Sequence, residues 1–427
     1  MKMNDSRQSK IIDRFPAGVV TPPPSKSLSH RALICAALCG LHGKGEDDAP
    51  AEIWNVGVSE DISATRRGIA RIVSVLSGTA DIAAPERRVD CGESGSTLRF
   101  LIPIAGLDGE EWVFTGNGRL MERPLDIYRD MFERAGGVFE QRSSEVRVRG
   151  PLRVGKYTLP GDVSSQFVSG LLFSLPLLCG DSEIALSTPL ESSGYARMTV
   201  DVLRHYGVAM DEIADGRGGI RGYRVRGGQT YRRAAYTVES DYSQAAFFLA
   251  AAALGCDVRV AGLNPHSLQG DRYIIDVIRG MGAEVRDEDG AVRVLPPAGG
   301  LKALTIDVAE IPDLVPPIAA LACYCEGQTR LVNAGRLRIK ESDRLRALKT
   351  ELCKLGAAVR ETDDALIIDG AKSLRGGDVD AWGDHRIAMA LAVAAIGCTG
   401  SVTLSGHTHV SKSYPAFWED FEKGYLK

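Results

Sequence analysis

The chain has 427 residues, and at roughly 150 residues per domain that is two or three domains, which excludes a single small binding module. Charged residues make up 25% and hydrophobic ones 44%, the balance of a folded globular protein and not of a disordered one. Lysine and arginine number 51 against 55 aspartates and glutamates, a net charge of -4, so no overall basic field draws nucleic acid or anionic lipid, and an anionic ligand must be held by a local site.

The first punctuation is Gly18 to Pro24, with three consecutive prolines, and it fits a connector. After it the chain repeats itself. Short polar clusters run directly into Ala/Leu-rich helical stretches: Ser25-Lys26-Ser27 before Leu33 to Leu41, Ser94-Gly95-Ser96 before Leu98 to Leu107, and Ser164-Ser165-Gln166 before Val168 to Leu178. The second half supplies Asp241-Tyr242-Ser243 before Ala245 to Leu254, Ile311-Pro312-Asp313 before Val315 to Tyr324, and Gly383-Asp384-His385 before Ile387 to Ile396. Markers at 26, 95, 165, 243, 313 and 384 are 69, 70, 78, 70 and 71 residues apart, and 427 divided by six is 71. A second element keeps the same phase: an amphipathic segment ends at Gly137, Gly207, Gly282 or Gly356 and turns into an alternating strand, the glycine supplying the left-handed residue that closes the helix. Six α/β units of about 70 residues therefore fill the chain. Gly227 to Thr237 is a second connector, and three units lie on each side of it. Either connector also fits an ordinary surface turn; the count of three plus three favours two equal domains, residues 23–235 and the discontinuous 1–22 with 236–427.

Nine cysteines, an odd number spread thinly through apolar stretches, read as reduced core residues of a cytosolic protein. Cys35/Cys39 and Cys323/Cys325 lack a matching second pair and His407-x-His409 is equally thin, so no metal is expected. The longest apolar runs, Ala245 to Cys256 and Ile387 to Cys398, have 12 residues, short of the ~18 that span a bilayer. Met1 to Lys10 is polar, without the apolar region of a signal peptide. A cytoplasmic location is expected.

Ser, Asp and Gly before a helix are ordinary caps for unsatisfied N–H groups. A cap needs no cation, yet Lys26 and Arg31 attend the first cluster, Arg99 the second and His385 with Arg386 the last. An anion-binding helix start is improved by a cation. Two further stretches fit this pattern: the loop Asn117 to Pro124 carries Arg119 and Arg123, and Arg336 to Arg344 packs four basic and two acidic residues into nine. A solvated charged face is the ordinary meaning of such a run. Alternation along a strand places Arg338, Lys340 and Ser342 on one face and Glu341 on the other, unless a helix begins near Ser342 and turns Glu341 inward. No phosphate loop, dinucleotide fingerprint or nucleophile elbow occurs.

Taken in order from about Thr21 to Lys412, Ser25-Lys26-Ser27-Leu28-Ser29-His30-Arg31, Glu93-Ser94-Gly95-Ser96-Thr97-Leu98-Arg99, Met121-Glu122-Arg123-Pro124, Ser164-Ser165-Gln166, Ile311-Pro312-Asp313, Lys340-Glu341-Ser342-Asp343-Arg344, Asp384-His385-Arg386 and Lys412 resemble the 3-phosphoshikimate 1-carboxyvinyltransferase (5-enolpyruvylshikimate-3-phosphate synthase) family of enolpyruvyltransferases. The resemblance implies an inside-out α/β barrel fold of two domains, each three βαβαββ copies with helices inside, and a ligand cleft between them. It implies a transferase of the shikimate pathway that joins phosphoenolpyruvate to the 5-hydroxyl of shikimate 3-phosphate and releases phosphate, with no cofactor. The two substrates bring about six negative charges. By the resemblance, Lys26, Ser27, Arg31, Ser164, Ser165, Gln166, Ser192, Tyr195, Asp313 and Lys340 hold shikimate 3-phosphate. Lys26, Gly95, Arg123, Gln166, Arg344, Arg386 and Lys412 hold phosphoenolpyruvate, the arginines as bidentate forks. Asp313 is expected to take the hydroxyl proton and Glu341 to protonate the methylene carbon, with Lys26 and His385 in support.

The sequence departs from the family in places. Glu93-Ser94-Gly95-Ser96-Thr97 stands where many members have Asn-Ala-Gly-Thr-Ala, Phe100 where proline is frequent, Ser192-Ser193-Gly194-Tyr195 for Ser-Lys-Pro-Tyr, and Arg336 where some have asparagine. Partners are expected to be these two small molecules only, with no nucleic acid or membrane, and the chain to be a monomer. The alternatives are the sister enolpyruvyltransferase acting on UDP-N-acetylglucosamine, whose mobile loop typically carries a cysteine where Gly116 to Pro124 has none, and a non-catalytic anion-binding repeat scaffold.

Overall fold

Helices that are apolar on almost every side must be buried on every side, and the chain has three such stretches. In a computed structural model, which describes residues 8–42, 51–79, 87–216 and 218–424, Tyr242–Ala253 and His385–Ala395 are buried at all 12 and all 11 positions, and Val315–Ala322 at all eight. Gly95–Ala105 and Ser165–Ser174 are buried except at Ser96 and Gln166. Each repeat marker thus stands at a helix start, the sixth being Lys26–Leu38. Met1 to Arg7 of the polar N-terminal stretch lie outside the described residues.

The strands form six separate small sheets, with no closed barrel among the described residues. Four share one pattern. Arg88–Asp90 runs parallel to Glu111–Thr115, the buried helix Gly95–Ala105 lies between them in sequence, and the hairpin Val138–Gln141/Glu145–Arg149 adds antiparallel to the second strand. Helix Asp126–Arg134 precedes that hairpin, completing βαβαββ. The same order recurs over 156–225 and 305–369. In the fourth sheet, the first strand is Gly18–Val20, parallel to Val258–Ala261. Its hairpin, Glu284–Glu288/Ala291–Leu295, closes through Asp289 and Gly290, both left-handed (φ 55° and 77°), as a two-residue turn of this hand requires.

Six complete copies were expected, and the end repeats differ. Among the described residues the first shows only Ile53–Trp54 paired with Tyr236–Thr237, and the last has Gly377–Asp380, Val402–Ser405 and the N-terminal strand Ser9–Ile12. The closing glycine is also corrected in one repeat. Gly207, Gly282 and Gly356 are left-handed, but after Asp126–Arg134 the left-handed residue is Gly136 (φ 80°), not Gly137. Gly137 instead lies so near the Arg149 carbonyl that no side chain fits.

The chain divides into two compact units, Met1–Pro24 with Glu239–Lys427, and Ser25–Val238. Each has its own apolar core around its buried helices. All nine cysteines are free, seven of them buried and Cys179 exposed. Among the described residues no group of three His, Cys, Asp or Glu is placed to hold a metal ion, and no helix is long and apolar enough to cross a membrane.

Candidate active site

In the 25–238 unit, the three buried helices begin at capping serines. Ser25 accepts from Leu28 N, Ser94 from Thr97 N at 3.1 Å and Ser164 from Gln166 N at 3.3 Å. Polar side chains then tie these starts together. Arg99 Nη1 donates to Gln166 Oε1 at 2.8 Å, and Gln166 Nε2 donates to Ser96 Oγ at 2.9 Å. The two positions left open in otherwise buried helices are therefore bonded to each other. Arg99 also stands 5.0 Å over the Phe167 ring. Behind Gly95 runs a buried hydroxyl chain: Ser94 Oγ, Thr97 Oγ1 and Thr65 Oγ1, with the last 2.7 Å from His30 Nδ1. Burial pushes the His30 imidazolium pKa down to about 3 against the pull of Asp61, so the ring is neutral at pH 7.

Arg123 is 8% exposed. Gln141 Nε2 pins its loop by donating to the carbonyls of Met121 (2.6 Å) and Arg123 (2.9 Å). A Cβ at Gly95 would stand 2.6 Å from Arg123 Nη1, so only glycine lets this guanidinium lie against the helix start. Lys26 Nζ reaches Asp61 Oδ2 at 2.9 Å. Arg31 is braced within its own unit: Nε donates to Thr199 Oγ1, Nη1 to the Ser27 carbonyl and Nη2 to the Tyr195 carbonyl, at 2.7–2.8 Å. Burial lowers its pKa to about 10. Ser192 is buried and left-handed (φ 54°, ψ 43°) at the start of Ser193–His205, a conformation that costs a non-glycine residue about 1 kcal/mol or more.

The other unit concentrates charge. Arg344 opens the helix Arg344–Lys354 and its side chain is 2% exposed. One guanidinium grips three carboxylates: Asp313 Oδ1 at 2.9 Å, Glu341 Oε2 at 2.8 Å and Asp384 Oδ2 at 2.8 Å. Burial works against its charge, yet Asp384, Glu341 and Asp313 hold it firmly protonated. Arg386 Nη2 takes the other oxygen of Asp313 at 3.0 Å. Burial alone would raise the Asp313 pKa, but Arg386, Lys340 and Arg344 hold it far below the ordinary carboxylate range. Lys340 is pulled down to about 8, by burial first and then by Arg344 and Arg336, with Asp313 resisting. His385 is 1% exposed at the start of its helix, and Lys412 is 5% exposed at the end of the turn His407–Lys412.

Asp313 corrects the simplest reading of Ile311-Pro312-Asp313. It is not a cap, since the helix Val315–Ala322 starts without a side-chain cap and the carboxylate turns to the two arginines. Of the two geometries open for 336–344, a helix beginning near Ser342 holds and strand alternation does not. Gly335–Ile339 is a 3-10 helix and Asp343 caps the following helix, so Glu341 turns to Arg344 three residues on. Arg338 belongs elsewhere, paired with Asp343 and Glu361 at 2.9 Å each.

A family model described as EPSP synthase (3-phosphoshikimate 1-carboxyvinyltransferase) matches residues 14–421. The chain belongs to the EPSP synthase family. It is 44% identical over 415 residues to the 3-phosphoshikimate 1-carboxyvinyltransferase of Clostridium kluyveri, covering 95% of this chain and 94% of that one. The enzyme of the same name from Clostridium acetobutylicum is 42% identical over 421 residues, with 95% and 94% covered. The EPSP synthase structure from Acinetobacter baumannii superposes with a TM-score of 0.74 at 26% identity over 98% of both chains. The enolpyruvyl transferase NikO from Streptomyces tendae shares the fold, with a TM-score of 0.70 at 17% identity and 98% of both chains covered.

Four of the departures from common EPSP synthase motifs, at Ser94, Ser96, Thr97 and Phe100, have local reasons here. Thr97 and Ser94 belong to the hydroxyl chain that ends at His30, and Ser96 receives Gln166. Phe100 lies 5.2 Å under the Arg31 guanidinium and edge-on to Phe173. Two acidic residues of the site, Asp61 and Asp271, are not singled out by the sequence, and a third, Asp384, stands out there only as part of its cluster. Asp61 holds Lys26, and Asp384 is fully buried against Arg344, Ser342 and the Arg386 N–H. Asp271, bonded by the Ser243 hydroxyl, is pushed up to about 7 by burial and by Asp313. The side chains that hold them are 28 to 42 residues away, and only Asp384 had a visible signal, as the first residue of Asp384-His385-Arg386.

Proposed function

We propose that this chain transfers the enolpyruvyl group of phosphoenolpyruvate to the 5-hydroxyl of shikimate 3-phosphate and releases phosphate. The observation that carries the reading is Arg344 joining Asp313 and Glu341, with Arg386 on the far oxygen of Asp313. Two carboxylates able to move protons stand among cations able to hold polyanions. The 5-oxygen adds to C2 of phosphoenolpyruvate while C3 gains a proton, giving a tetrahedral intermediate. Loss of a C3 proton and of phosphate then leaves the enol ether.

Asp313 takes the hydroxyl proton. Clamped by two arginines it is a weak base, and its affinity for a proton rises when the substrate anions draw Arg386 and Arg344 onto themselves. Glu341 delivers the proton to C3, Lys26 offsets developing charge, and His385 supports the leaving phosphate. Arg123, Gly95, Arg344, Arg386 and Lys412 hold phosphoenolpyruvate. Ser164, Ser165, Gln166, Ser192 and Lys340 hold shikimate 3-phosphate. Ser27, Tyr195 and Arg31 complete that set: Arg31 donates once each from Nε, Nη1 and Nη2 to Thr199, Ser27 and Tyr195, which leaves two of its five N–H donors for the ligand. No metal or cofactor enters this scheme. A cytoplasmic location, supported by nine free cysteines, and a monomeric state, checked by the elution volume of the purified protein, complete the proposal.

Phosphate release is the test. The reading expects release with phosphoenolpyruvate and shikimate 3-phosphate together and none with either alone. Release with UDP-N-acetylglucosamine as the acceptor instead overturns it, and no release from folded protein supports the scaffold alternative.

A further inference from the structure

Behind the helix Ser165–Ser174, the 25–238 unit holds a cavity of about 530 Å³, a size that suits a small molecule. Ile127 and Met131, one turn apart on Asp126–Arg134, line one side, Tyr157 and Leu159 of the strand Lys156–Leu159 another, and the fully buried Phe167 and Leu171 its depth. The mouth is charged. Asp126 and Lys156 are engaged by Arg129 (2.5 Å) and Glu183 (2.7 Å). Asp130 and Arg134, both exposed and one turn apart, enter no ion pair or side-chain hydrogen bond among the described residues. Arg153 lines the cavity, donates by Nε to the Ala135 carbonyl at 3.1 Å and enters no ion pair among the described residues.

An apolar interior under one carboxylate and two guanidinium groups is complementary to a molecule with an apolar body and both charges at one end. We propose that this cavity binds a free amino acid with a large apolar side chain, its ammonium on Asp130 and its carboxylate on Arg134 and Arg153, and that occupancy alters the affinity of the anion-binding helix start beside it. The coupling follows from shared residues. Ser165 and Gln166 ride on the helix that carries Phe167 and Leu171. The Phe167 ring supports Arg99 at 5.0 Å and meets Tyr128 at 4.8 Å, while Tyr128 Oη donates to the Arg99 carbonyl at 2.6 Å. Pro124 lines the cavity and its carbonyl accepts from Arg99 Nη2 at 3.4 Å. A ligand that moves Phe167 therefore moves Arg99 and Gln166, and the effect is reciprocal.

The experiment is calorimetric titration of the full chain with L-phenylalanine, 3-phenylpropionate and 2-phenylethylamine. Saturable binding of L-phenylalanine is expected, with each half-charged analogue at least roughly tenfold weaker, a loss of one charged contact. Arg134→Glu should weaken L-phenylalanine at least tenfold while leaving ligand-free turnover within twofold. No saturable binding, equal affinity for the three probes, or an indifferent Arg134→Glu overturns the site. The coupling alone rests on the proposed reaction: saturating shikimate 3-phosphate should shift the L-phenylalanine Kd at least twofold, and an unmoved Kd overturns it. If shikimate 3-phosphate fails to bind at all, the proposed reaction falls while the three-probe result still decides the cavity.

Discussion

Gly95→Ala isolates the contact that sets Arg123 in place for the proposed binding of phosphoenolpyruvate. The added methyl would lie 2.6 Å from Arg123 Nη1 and 3.7 Å from Arg99 Nη1. Ordinary van der Waals contact begins near 3.5 Å, so Arg123 must retreat by about 0.9 Å, the difference from 2.6 Å. Its loop is pinned by Gln141 and the side chain is buried, so the shift is paid at the guanidinium. A misplacement of about 1 Å costs roughly 10²-fold, or about 2.7 kcal/mol. Steady-state kinetics should show the KM for phosphoenolpyruvate rising by about 10- to 100-fold, with the KM for shikimate 3-phosphate within threefold. The cause is checked by a double-mutant cycle. If the clash with Arg123 is responsible, Gly95→Ala adds almost nothing in an Arg123→Ala background. Full additivity of the two substitutions, or an unchanged phosphoenolpyruvate KM, refutes the reasoning.

Asp313→Ala and Glu341→Ala should each cut kcat by about 10²-fold or more while calorimetry shows substrate binding largely intact; near-normal turnover in both removes the role assignment. Lys340, held near a pKa of about 8, is needed as a cation, so kcat/KM should fall as pH rises through about 8. Lys340→Arg, protonated well past pH 10, should move that limb upward, and an unmoved limb contradicts the role. The same depressed pKa means the unfolded chain binds more protons between about 8 and 10.5, so this residue's contribution to stability rises with pH across that window. Asp384→Asn leaves Arg344 short of a fully buried partner. At about 3–5 kcal/mol for a broken buried pair, thermal unfolding should drop by roughly 6–20 °C, and a shift under 2 °C would deny Asp384 its place in the charge cluster.

The period and the helix starts were legible because caps and apolar runs are local features. Ser25, Ser94, Ser164, Asp241 and Asp384 all cap where the clusters stand. The exception, Asp313, could not be read locally, since its two arginines come from 31 and 73 residues further on. The basic run at 336–344 divided for the same reason: Arg338 follows Glu361 on the next hairpin, while Arg344 follows Asp384 from the sixth repeat. The shift from Gly137 to Gly136 has another cause, because two adjacent glycines satisfy the same pattern and only the nearness of the Arg149 carbonyl separates them. Asp61 and Asp271 meet their partners 35 and 28 residues away inside one repeat, and the cavity beside Phe167 joins two repeats; neither kind of packing is displayed by a single strand of letters.

Proton delivery to C3 with phosphate release is most directly followed by NMR of the reaction run in D2O with both substrates and near-stoichiometric enzyme. The mechanism predicts a new enol ether carrying deuterium in its methylene, matched by inorganic phosphate, and loss of both signals in Glu341→Gln. An ether formed without deuterium, or full deuterium exchange in Glu341→Gln, would contradict it.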